Sequence, residues 1–518
     1  MTFLMITAFL MTQTPAAPPA PPPAPLDPPS TVPSETVVEP PPEPVRVMAL
    51  SNILSRAIGH NRGMREAGIK VKISRAQADM ANAMFDTQVT SNLNFVSQTS
   101  EFLPGQFFAV TALTQYSFDA QVSRLLPTGG VLGLKLTSKR TDQTMTVAMS
   151  GTPQELETQT FENSFSFVFM HPLLAGFGSD VTTAALKKAR IQADADRLSR
   201  EAKAQTLVRD LVITYWNLWL LWQEKDLLET SLKIARSQLD LTKSLLTVGH
   251  AKASDLKAVE NAVAQREGDL LLSRNRILQL SMSLLTQLDL PLTEGPVLVR
   301  PADRDLAFVP RNLPTDILEV TIKRSKDLAV LEKQLQILRQ EEKVARQGLL
   351  PKLNLTLTAG PTSSSNEFSQ SLENLFKFNS FMVAGGLSFS WSAERSQAKA
   401  QLELLNLSEH NLKLMKENIS QGLIMGAMIA RDTVKTAQKR IELAKVAVES
   451  AEAHLKLEND LFALGRGTNH SVLLRMAELD VARMSLLKAI YDYHTSWVQL
   501  IALSGGILEE YQLQLSNE

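Results

Sequence analysis

Apolar residues recur at alternating spacings of three and four along four long segments, the pattern of a coiled-coil seam, and most of the seam side chains from Val434 to Phe462 are small. No proline interrupts residues 181–248 or 394–464. Each could form a continuous helix of roughly 100 Å at about 1.5 Å per residue. The pattern predicts long helices at about 181–248, 253–289, 394–464 and 468–504. The seam positions are Leu232, Ala235, Leu239, Leu246, Leu256, Val259, Val263, Leu270, Ile277, Leu284, Val434, Ala437, Ile441, Ala444, Val448, Ala451, Leu455, Phe462, Met476, Leu479, Leu486, Ile490, Tyr493, Trp497 and Leu500.

Between the helical segments, apolar and polar residues alternate with a period of two, which indicates strands with one apolar face. Phe165, Phe167 and Phe169, for example, alternate with Ser164 and Ser166. Such strands fit a barrel wall between lipid and water, and equally a half-buried sheet of a soluble protein. The alternation leaves both interpretations open. Strands are predicted at about 87–98, 116–124, 131–140, 161–170, 351–359 and 381–391.

The order of helix, strands, long helix, tight turn and second long helix occurs twice. A shift of 264 positions brings Ala57-Ile58 onto Thr321-Ile322, and a shift of 216 brings Val248-Gly249 onto Leu464-Gly465. We therefore expect a first repeat at 46–290, a connector at 291–313, a second repeat at 314–508 and a tail at 509–518.

The two shifts differ by 48 residues, which the first repeat holds in addition. This insertion contains Tyr116–Arg124 and Val131–Arg140, joined by Pro127-Thr-Gly-Gly130, and so predicts one further hairpin. If the strands form a barrel, we expect this hairpin either to widen it beyond two hairpins per protomer or to fold over its mouth.

The ends and the composition of the chain narrow the function classes. Residues 1–17 form a short apolar segment typical of a secretion signal, and the proline-rich tract at 18–45 is expected to be a disordered linker. With 53 basic and 54 acidic residues, the chain lacks the basic excess of a dedicated nucleic-acid binder. The absence of cysteine excludes disulfides and thiolate chemistry. Without a hydrolase, zinc-protease or phosphate-loop motif, we predict no enzyme, catalytic residue, metal or cofactor.

Together these features resemble the TolC family of outer-membrane efflux and secretion channels, from about Leu50 to Leu508. Each motif is weak alone, and their order, spacing and duplication make the resemblance specific. Its carriers are Phe85-Asp86 and Leu350-Pro351-Lys-Leu353 at strand starts, Pro172-Leu-Leu-Ala-Gly-Phe-Gly178 before a long helix, Leu387-Ser-Phe-Ser-Trp391, and the two helix-turn-helix tips.

The resemblance implies a mostly α-helical fold with β-strands, in which long coiled-coil helices form a periplasmic α-barrel continuous with an outer-membrane β-barrel. It implies two internal repeats, a homotrimer, contact with outer-membrane lipid and a passive exit duct of an efflux pump or type I secretion system. The implied partners are a periplasmic adaptor protein and an inner-membrane transporter. A periplasmic coiled-coil scaffold without a pore is the alternative.

The resemblance also places the periplasmic gate and the adaptor contact at the two tips. Three copies of each tip histidine around one axis could bind a metal or sense pH, although solvated turn residues are the simpler interpretation. The residues expected at the tips are Gly249, His250, Asp255, Leu256, Phe462, Gly465, Arg466, His470, Ser471 and Val472.

The tips depart from the family pattern in their polar links. Phe462, Gly467, Ser471 and Leu474 stand where well-studied members carry the tyrosine, arginine and aspartates that close the second tip. In the first tip, Asp255 matches the acidic position. We therefore hypothesise that Asp255 pairs with Arg466 or His470 as a latch.

Overall fold

The computed structural model describes residues 44–103, 105–149, 152–248, 252–291, 295–303, 311, 316–464 and 466–515. The predicted signal segment and nearly all of the proline-rich tract lie outside these residues. The strands are β1 Val45–Met48, β2 Gln88–Thr99, β3 Phe108–Leu125, β4 Val131–Met149, β5 Thr152–Pro172, β6 Leu298–Pro301, β7 Lys352–Ser365 and β8 Ser380–Ser390. The helices are α1 Leu50–His60, α2 Arg62–Asn82, α3 Ser179–Thr182, α4 Ala184–Thr247, α5 Ala253–Gln287, α6 Ile317–Arg324, α7 Lys326–Gln347, α8 Phe368–Phe376, α9 Ser396–Ala463, α10 Asn469–Leu503 and α11 Ile507–Glu510.

Two very long helices, α4 with 64 residues and α9 with 68, are the longest elements of the fold. Each begins two or three residues after its predicted start. Before α4, the short helix α3 ends at Thr182 and the backbone of Thr183 has φ −90° and ψ 2°; before α9, the backbone of Arg395 is left-handed, with φ 53°. Helix α4 packs on α5, and α9 packs on α10, while α2 and α7 lie beside α4. Among the described residues, no helix combines the length and the apolar character needed to cross a bilayer.

Each pair of long helices is joined by an ion pair at an equivalent position. Arg236 of α4 binds Glu267 of α5 at 2.7 Å, and Arg483 of α10 binds Glu452 of α9 at 2.7 Å. The shift of 216 places Glu452 where Arg236 stands and Arg483 where Glu267 stands. The two helix pairs therefore share the same interhelical contact with its charges exchanged. Near it, Val263 and its counterpart Leu479 are both buried.

A six-stranded antiparallel sheet carries the amphipathic strands in the order β2-β3-β4-β5-β7-β8. The hairpin β3–β4, which contains the insertion, lies between β2 and β5, so it widens the sheet and does not fold over it. Its turn is closed by hydrogen bonds between Leu126 and Gly130 and between Gly129 and Leu126. Gly129 has φ 96°, and a Cβ there would lie 2.6 Å from the carbonyl oxygen of Gly176, so the turn requires glycine.

Several strands extend beyond the segments predicted from alternation. The segments predicted at 116–124, 131–140 and 161–170 belong to strands of 18, 19 and 21 residues. Parts of the added lengths are largely polar on both faces, as in Thr141-Asp-Gln-Thr144 of β4 and Gln154-Glu-Leu-Glu157 of β5. A period-two hydrophobicity signal cannot detect such parts. The added start of β3 instead holds Phe108, Val110 and Leu113, so there the prediction was too short although apolar residues are present.

The two faces of the sheet differ in composition and in exposure. One face carries Leu132, Leu134, Leu136, Phe165 and Phe167, and these side chains are exposed in the single chain. Positions on the other face, which alternate with them along β4 and β5, are polar and mostly less exposed. The sheet is therefore curved with its apolar face outward, and no other part of the described chain covers most of that face.

A hydrophobic core formed by residues of α1, α4, α5 and β6 lies beside the small parallel sheet of β1 and β6. An aromatic stripe of α4, made of Tyr215, Trp216, Trp219 and Trp222, packs here. Trp222 donates from Nε1 to the carbonyl oxygen of Val299 at 2.8 Å, and Tyr215 donates to Asp303 at 2.6 Å. Burial and the Asp303 carboxylate raise the pKa of the Tyr215 hydroxyl. The stripe therefore has a packing role.

The fold should lose stability in mild acid through His494, which is half-buried beside Trp216. Burial, and to a smaller degree the charge of Arg311, lowers the pKa of His494 to about 4. Its unfolded pKa is about 6.5, so the unfolded chain alone binds a proton between these values. The contribution of neutral His494 to the free energy of unfolding is fully present above about pH 6.5 and decreases as the pH falls towards 4.

We expect His494→Gln to flatten this pH dependence of the thermal unfolding midpoint. His60→Gln, at an exposed histidine of α1, is the matched control and should keep the wild-type dependence. Equal slopes for His494→Gln and the wild type between about pH 7 and pH 4 would contradict the assignment.

Candidate channel lining and periplasmic tips

The inner, polar face of the sheet is the candidate lining of a water-filled path. Its charged side chains neutralise one another in pairs: Lys135 lies 3.1 Å from Asp119, and Lys139 lies 3.2 Å from Glu162. Thr137 also donates a hydrogen bond to Asp119 at 2.7 Å. A lining of hydroxyl and amide groups with compensated charges suits hydrated solutes and selects little by charge.

The first tip joins α4 to α5. Helix α5 starts at Ala253, and the carboxylate of Asp255 accepts a hydrogen bond from the amide of Lys252 at 3.0 Å. This contact caps an otherwise free amide at the helix start. Leu256, the next residue, is half-buried. The expected tip residues Gly249 and His250 lie outside the described residues.

The second tip joins α9 to α10 by a turn that packs tightly on itself. The amides of Arg466 and Gly467 both donate to the carbonyl oxygen of Leu461, at 2.9 and 3.1 Å. A Cβ on Gly467 would lie 2.9 Å from the backbone nitrogen of Phe462, which itself is half-buried. No larger side chain fits at this position without a shift of the backbone. The expected residue Gly465 lies outside the described residues.

The start of α10 is capped and anchored. The hydroxyl of Thr468 accepts from the amide of Ser471 at 3.2 Å and lies 2.8 Å from its hydroxyl. Val472 is buried, whereas His470 and Arg466 are exposed. Ser471 and Val472 thus have structural roles in the single chain.

The predicted latch is not formed within one chain. Among the described contacts, Asp255 binds the amide of Lys252, and no ion pair joins it to Arg466 or His470. The described residues also contain no group of three or more histidine, aspartate or glutamate side chains arranged to hold a metal.

A polar network that the sequence did not reveal holds the two helix pairs together. Ser231 of α4 donates to Asp480 of α10 at 2.6 Å and accepts from Arg266 of α5 at 2.7 Å. Arg266 lies 3.7 Å from Asp480, and its side chain is only 14% exposed. The network therefore joins α4, α5 and α10 at one level of the helical shaft. None of the three residues stands out in sequence because their spacing follows no motif.

A second link lies nearer the tips. The side-chain nitrogen of Asn469 donates to the hydroxyl of Thr242 at 3.3 Å. The side-chain oxygen of Asn469 accepts a hydrogen bond from the side chain of Gln238. Thr242 is buried in the contact. This link fixes the start of α10 against α4, so the two tips of one chain are positioned together.

Long paired helices below a curved sheet with an apolar outer and polar inner face define the class of outer-membrane channels with a helical periplasmic shaft. The profile of the family described as Outer membrane efflux protein matches residues 134–288 and 317–506. The chain belongs to this family and is located in the outer membrane, extending into the periplasm.

Individual relatives agree with this assignment. The chain is 22% identical over 323 residues to the pyoverdine export outer membrane protein OpmQ of Pseudomonas putida, and the match covers 60% of this chain and 65% of that protein. Its fold is similar to that of VceC from Vibrio cholerae, with a TM-score of 0.63, 14% identity and coverage of 88% of this chain and 96% of that one. Its fold is also similar to that of the Neisseria gonorrhoeae MtrE channel in its open state, with a TM-score of 0.62 and 17% identity. That match covers 88% of this chain and 89% of the MtrE chain.

Removing Asp480 should destabilise the shaft, because Arg266 would then be buried without its carboxylate. We expect Asp480→Ala to lower the free energy of unfolding by about 1–3 kcal/mol. The double variant Asp480→Ala, Arg266→Ala should cost less than the sum of the single variants, since it leaves no unpaired charge.

Denaturant unfolding followed by circular dichroism would measure these differences. Asp269→Ala is the control, because Asp269 is exposed on the same helix as Arg266. A strictly additive double variant would show that Arg266 and Asp480 do not interact.

Proposed function

We propose that this protein is the passive exit duct of a tripartite efflux or type I secretion assembly. The observation that carries the proposal is a curved six-stranded sheet with an uncovered apolar outer face, continuous with helices long enough to form a shaft of roughly 100 Å. The family assignment supports the same function, and the proposed path needs no catalytic group.

The proposed assembly is a homotrimer that closes the sheet into a barrel. The two edge strands, β2 and β8, are exposed along their whole length. They run in opposite directions, so β8 of one copy can pair antiparallel with β2 of the next. Three sheets of six strands make a barrel of eighteen, a size that leaves an aqueous channel in porins.

The insertion sets the proposed diameter. With strands about 4.8 Å apart and tilted by about 40°, eighteen strands give a backbone radius of about 18 Å, and twelve give about 12 Å. The hairpin β3–β4 supplies the additional strands. We infer that the outer mouth is wider than a sheet without this hairpin would form.

The proposed partners are a periplasmic adaptor protein, which binds the tips, and an inner-membrane transporter, which supplies the energy. Two exposed aliphatic residues at equivalent positions of the tips support the contact with the adaptor: Val248 is 65% exposed and Leu464 is 72% exposed. These residues are related by the shift of 216. Exposed apolar side chains at the end of a polar shaft are suited to binding a partner.

We further propose that Asp255 helps to close the periplasmic end by meeting Arg466 or His470 of a neighbouring copy. Its half-buried carboxylate already caps α5, and both proposed partners are exposed at the adjoining tip. The proposed latch is therefore an intermolecular contact.

The number of strands can be tested by distance measurement, because the chain has no cysteine of its own. A spin label on Leu134→Cys marks one equivalent point per copy on β4. We expect equivalent backbone positions about 31 Å apart in an eighteen-stranded barrel, against about 21 Å for twelve strands. Double electron–electron resonance on the detergent-solubilised protein measures this distance.

A label at Leu443→Cys, on an exposed position of α9, is the control for assembly, since it reports on the shaft. A dipolar signal from α9 together with the shorter β4 distance would refute the wide barrel. A protein that stays monomeric without detergent and does not conduct in planar bilayers would favour the alternative function, a periplasmic coiled-coil scaffold without a pore.

The gate is tested by separating the charge of Asp255 from its capping role. Asp255→Asn keeps an acceptor for the Lys252 amide and removes the charge, whereas Asp255→Ala removes both. If the charge closes the tips, both variants increase single-channel conductance and antibiotic leakage. Asp240→Asn, at an exposed position of α4, is the control. A change in Asp255→Ala alone would leave only the capping role.

A further inference from the structure

Helix α8 does not continue the sheet but lies on its outer, apolar face. Asn163 of β5 donates to the hydroxyl of Ser371 at 2.9 Å, and this hydroxyl donates to the carbonyl oxygen of Phe161 at 3.1 Å. Ser363 of β7 donates to the carbonyl oxygen of Ser371 at 2.6 Å. Since Asn163 and Ser363 share the outward face with the phenylalanines of β5, these bonds fix α8 against the outside of the proposed barrel.

The uncovered side of α8 is divided into an apolar and a polar part. Phe368, Leu372 and Phe376 recur every four residues and are exposed, whereas Ser371 and Leu375 are buried against the sheet. Glu373 and Lys377 form an exposed ion pair on another side of the helix. A short helix with this division is typical of an interface between lipid and water.

Beside α8, the outward sides of β2 to β5 form a groove of about 370 Å³. Its walls are aromatic: Phe95 packs on Tyr116 with ring centroids 5.1 Å apart, and Phe161 packs on Phe368 at 5.9 Å. The small side chain of Ser138 also lines the groove. The groove thus offers ring surface with few polar contacts, which suits a hydrocarbon chain.

One charged group reaches the groove, and it is already compensated. The guanidinium of Arg140 lies 6.0 Å from the ring of Tyr116 and 5.7 Å from that of Phe161. It binds Asp142 through Nη2 at 2.9 Å, and Gln159 donates to the same carboxylate at 3.0 Å. With its charge neutralised, Arg140 does not direct the groove towards an anionic head group.

The groove lies at the level where the outer face changes from apolar to polar. Below it on β4 and β5 the outward residues are Leu136 and Phe165, and above it they are Asp142, Gln159 and Glu157. A ring of aromatic side chains at such a boundary marks the membrane interface of outer-membrane barrels. Because β4 and β5 continue away from the helical shaft, this boundary belongs to the outer leaflet.

We propose that the groove beside α8 binds one acyl chain of an outer-leaflet lipid in each copy, with α8 as its wall at the membrane surface. The proposal rests on the proposed function, which places this face of the sheet in lipid. The groove continues the apolar outer face of the barrel, and its neutral lining selects the chain and not the head group.

The test compares two tryptophan substitutions on the same face of β4. Ser138→Trp fills the groove, whereas Leu134→Trp lies outside it at an exposed position of the same strand. The purified, delipidated assembly is incubated with dioleoyl phosphatidylglycerol, and the lipid retained is counted by native mass spectrometry. We expect the wild type and Leu134→Trp to retain up to one lipid per copy and Ser138→Trp to retain none.

Phe368→Ala, which removes one wall of the groove, provides a second variant in case Ser138→Trp does not assemble. It should also lose the retained lipid. Equal retention by the wild type and both groove variants overturns the lipid site while leaving the channel intact if all conduct. Dissociation of the assembly by Ser138→Trp, without a change in lipid, would assign the groove to a neighbouring copy instead. If neither the wild type nor any variant conducts, and all of them stay in solution without detergent, the proposed function itself fails.

Discussion

The rest of the structure depends on the need of an open, amphipathic sheet to pair its edges and cover its apolar face. A strand edge leaves backbone donors and acceptors unpaired, and in lipid each unpaired group costs several kcal/mol. The sheet of this chain has two such edges, β2 and β8, and a curved apolar surface that its own helices leave uncovered. Pairing with further copies, with lipid around them, meets both needs at once.

The long helices are subject to a different constraint. Helices α4 and α9 are far too long to be packed around a single globular core, so each is stabilised by a partner along its length. The exchanged ion pairs Arg236–Glu267 and Glu452–Arg483 keep the contact between partners in both halves. The Ser231–Arg266–Asp480 network then joins the two halves.

The second tip shows why one of the polar links expected from the family resemblance is missing. At Gly467 the turn is so tight that a side chain would meet the backbone of Phe462. An arginine could not stand there in this backbone conformation, so the polar link of other members has no counterpart at this position. Asp255 retains a structural use as a cap of α5, and any role in closure has to involve another copy.

Periodicity alone indicated the long helices and the amphipathic parts of the strands, because these features record which side of each element is buried. The polar stretches at 141–144 of β4 and 154–157 of β5 were not recognisable, since no apolar face marks them and backbone pairing holds them. Likewise, the place of the inserted hairpin inside the sheet, the position of α8 on its outer face and the Ser231–Arg266–Asp480 network depend on residues far apart in the chain. Such contacts follow from three-dimensional packing, which a one-dimensional pattern does not contain.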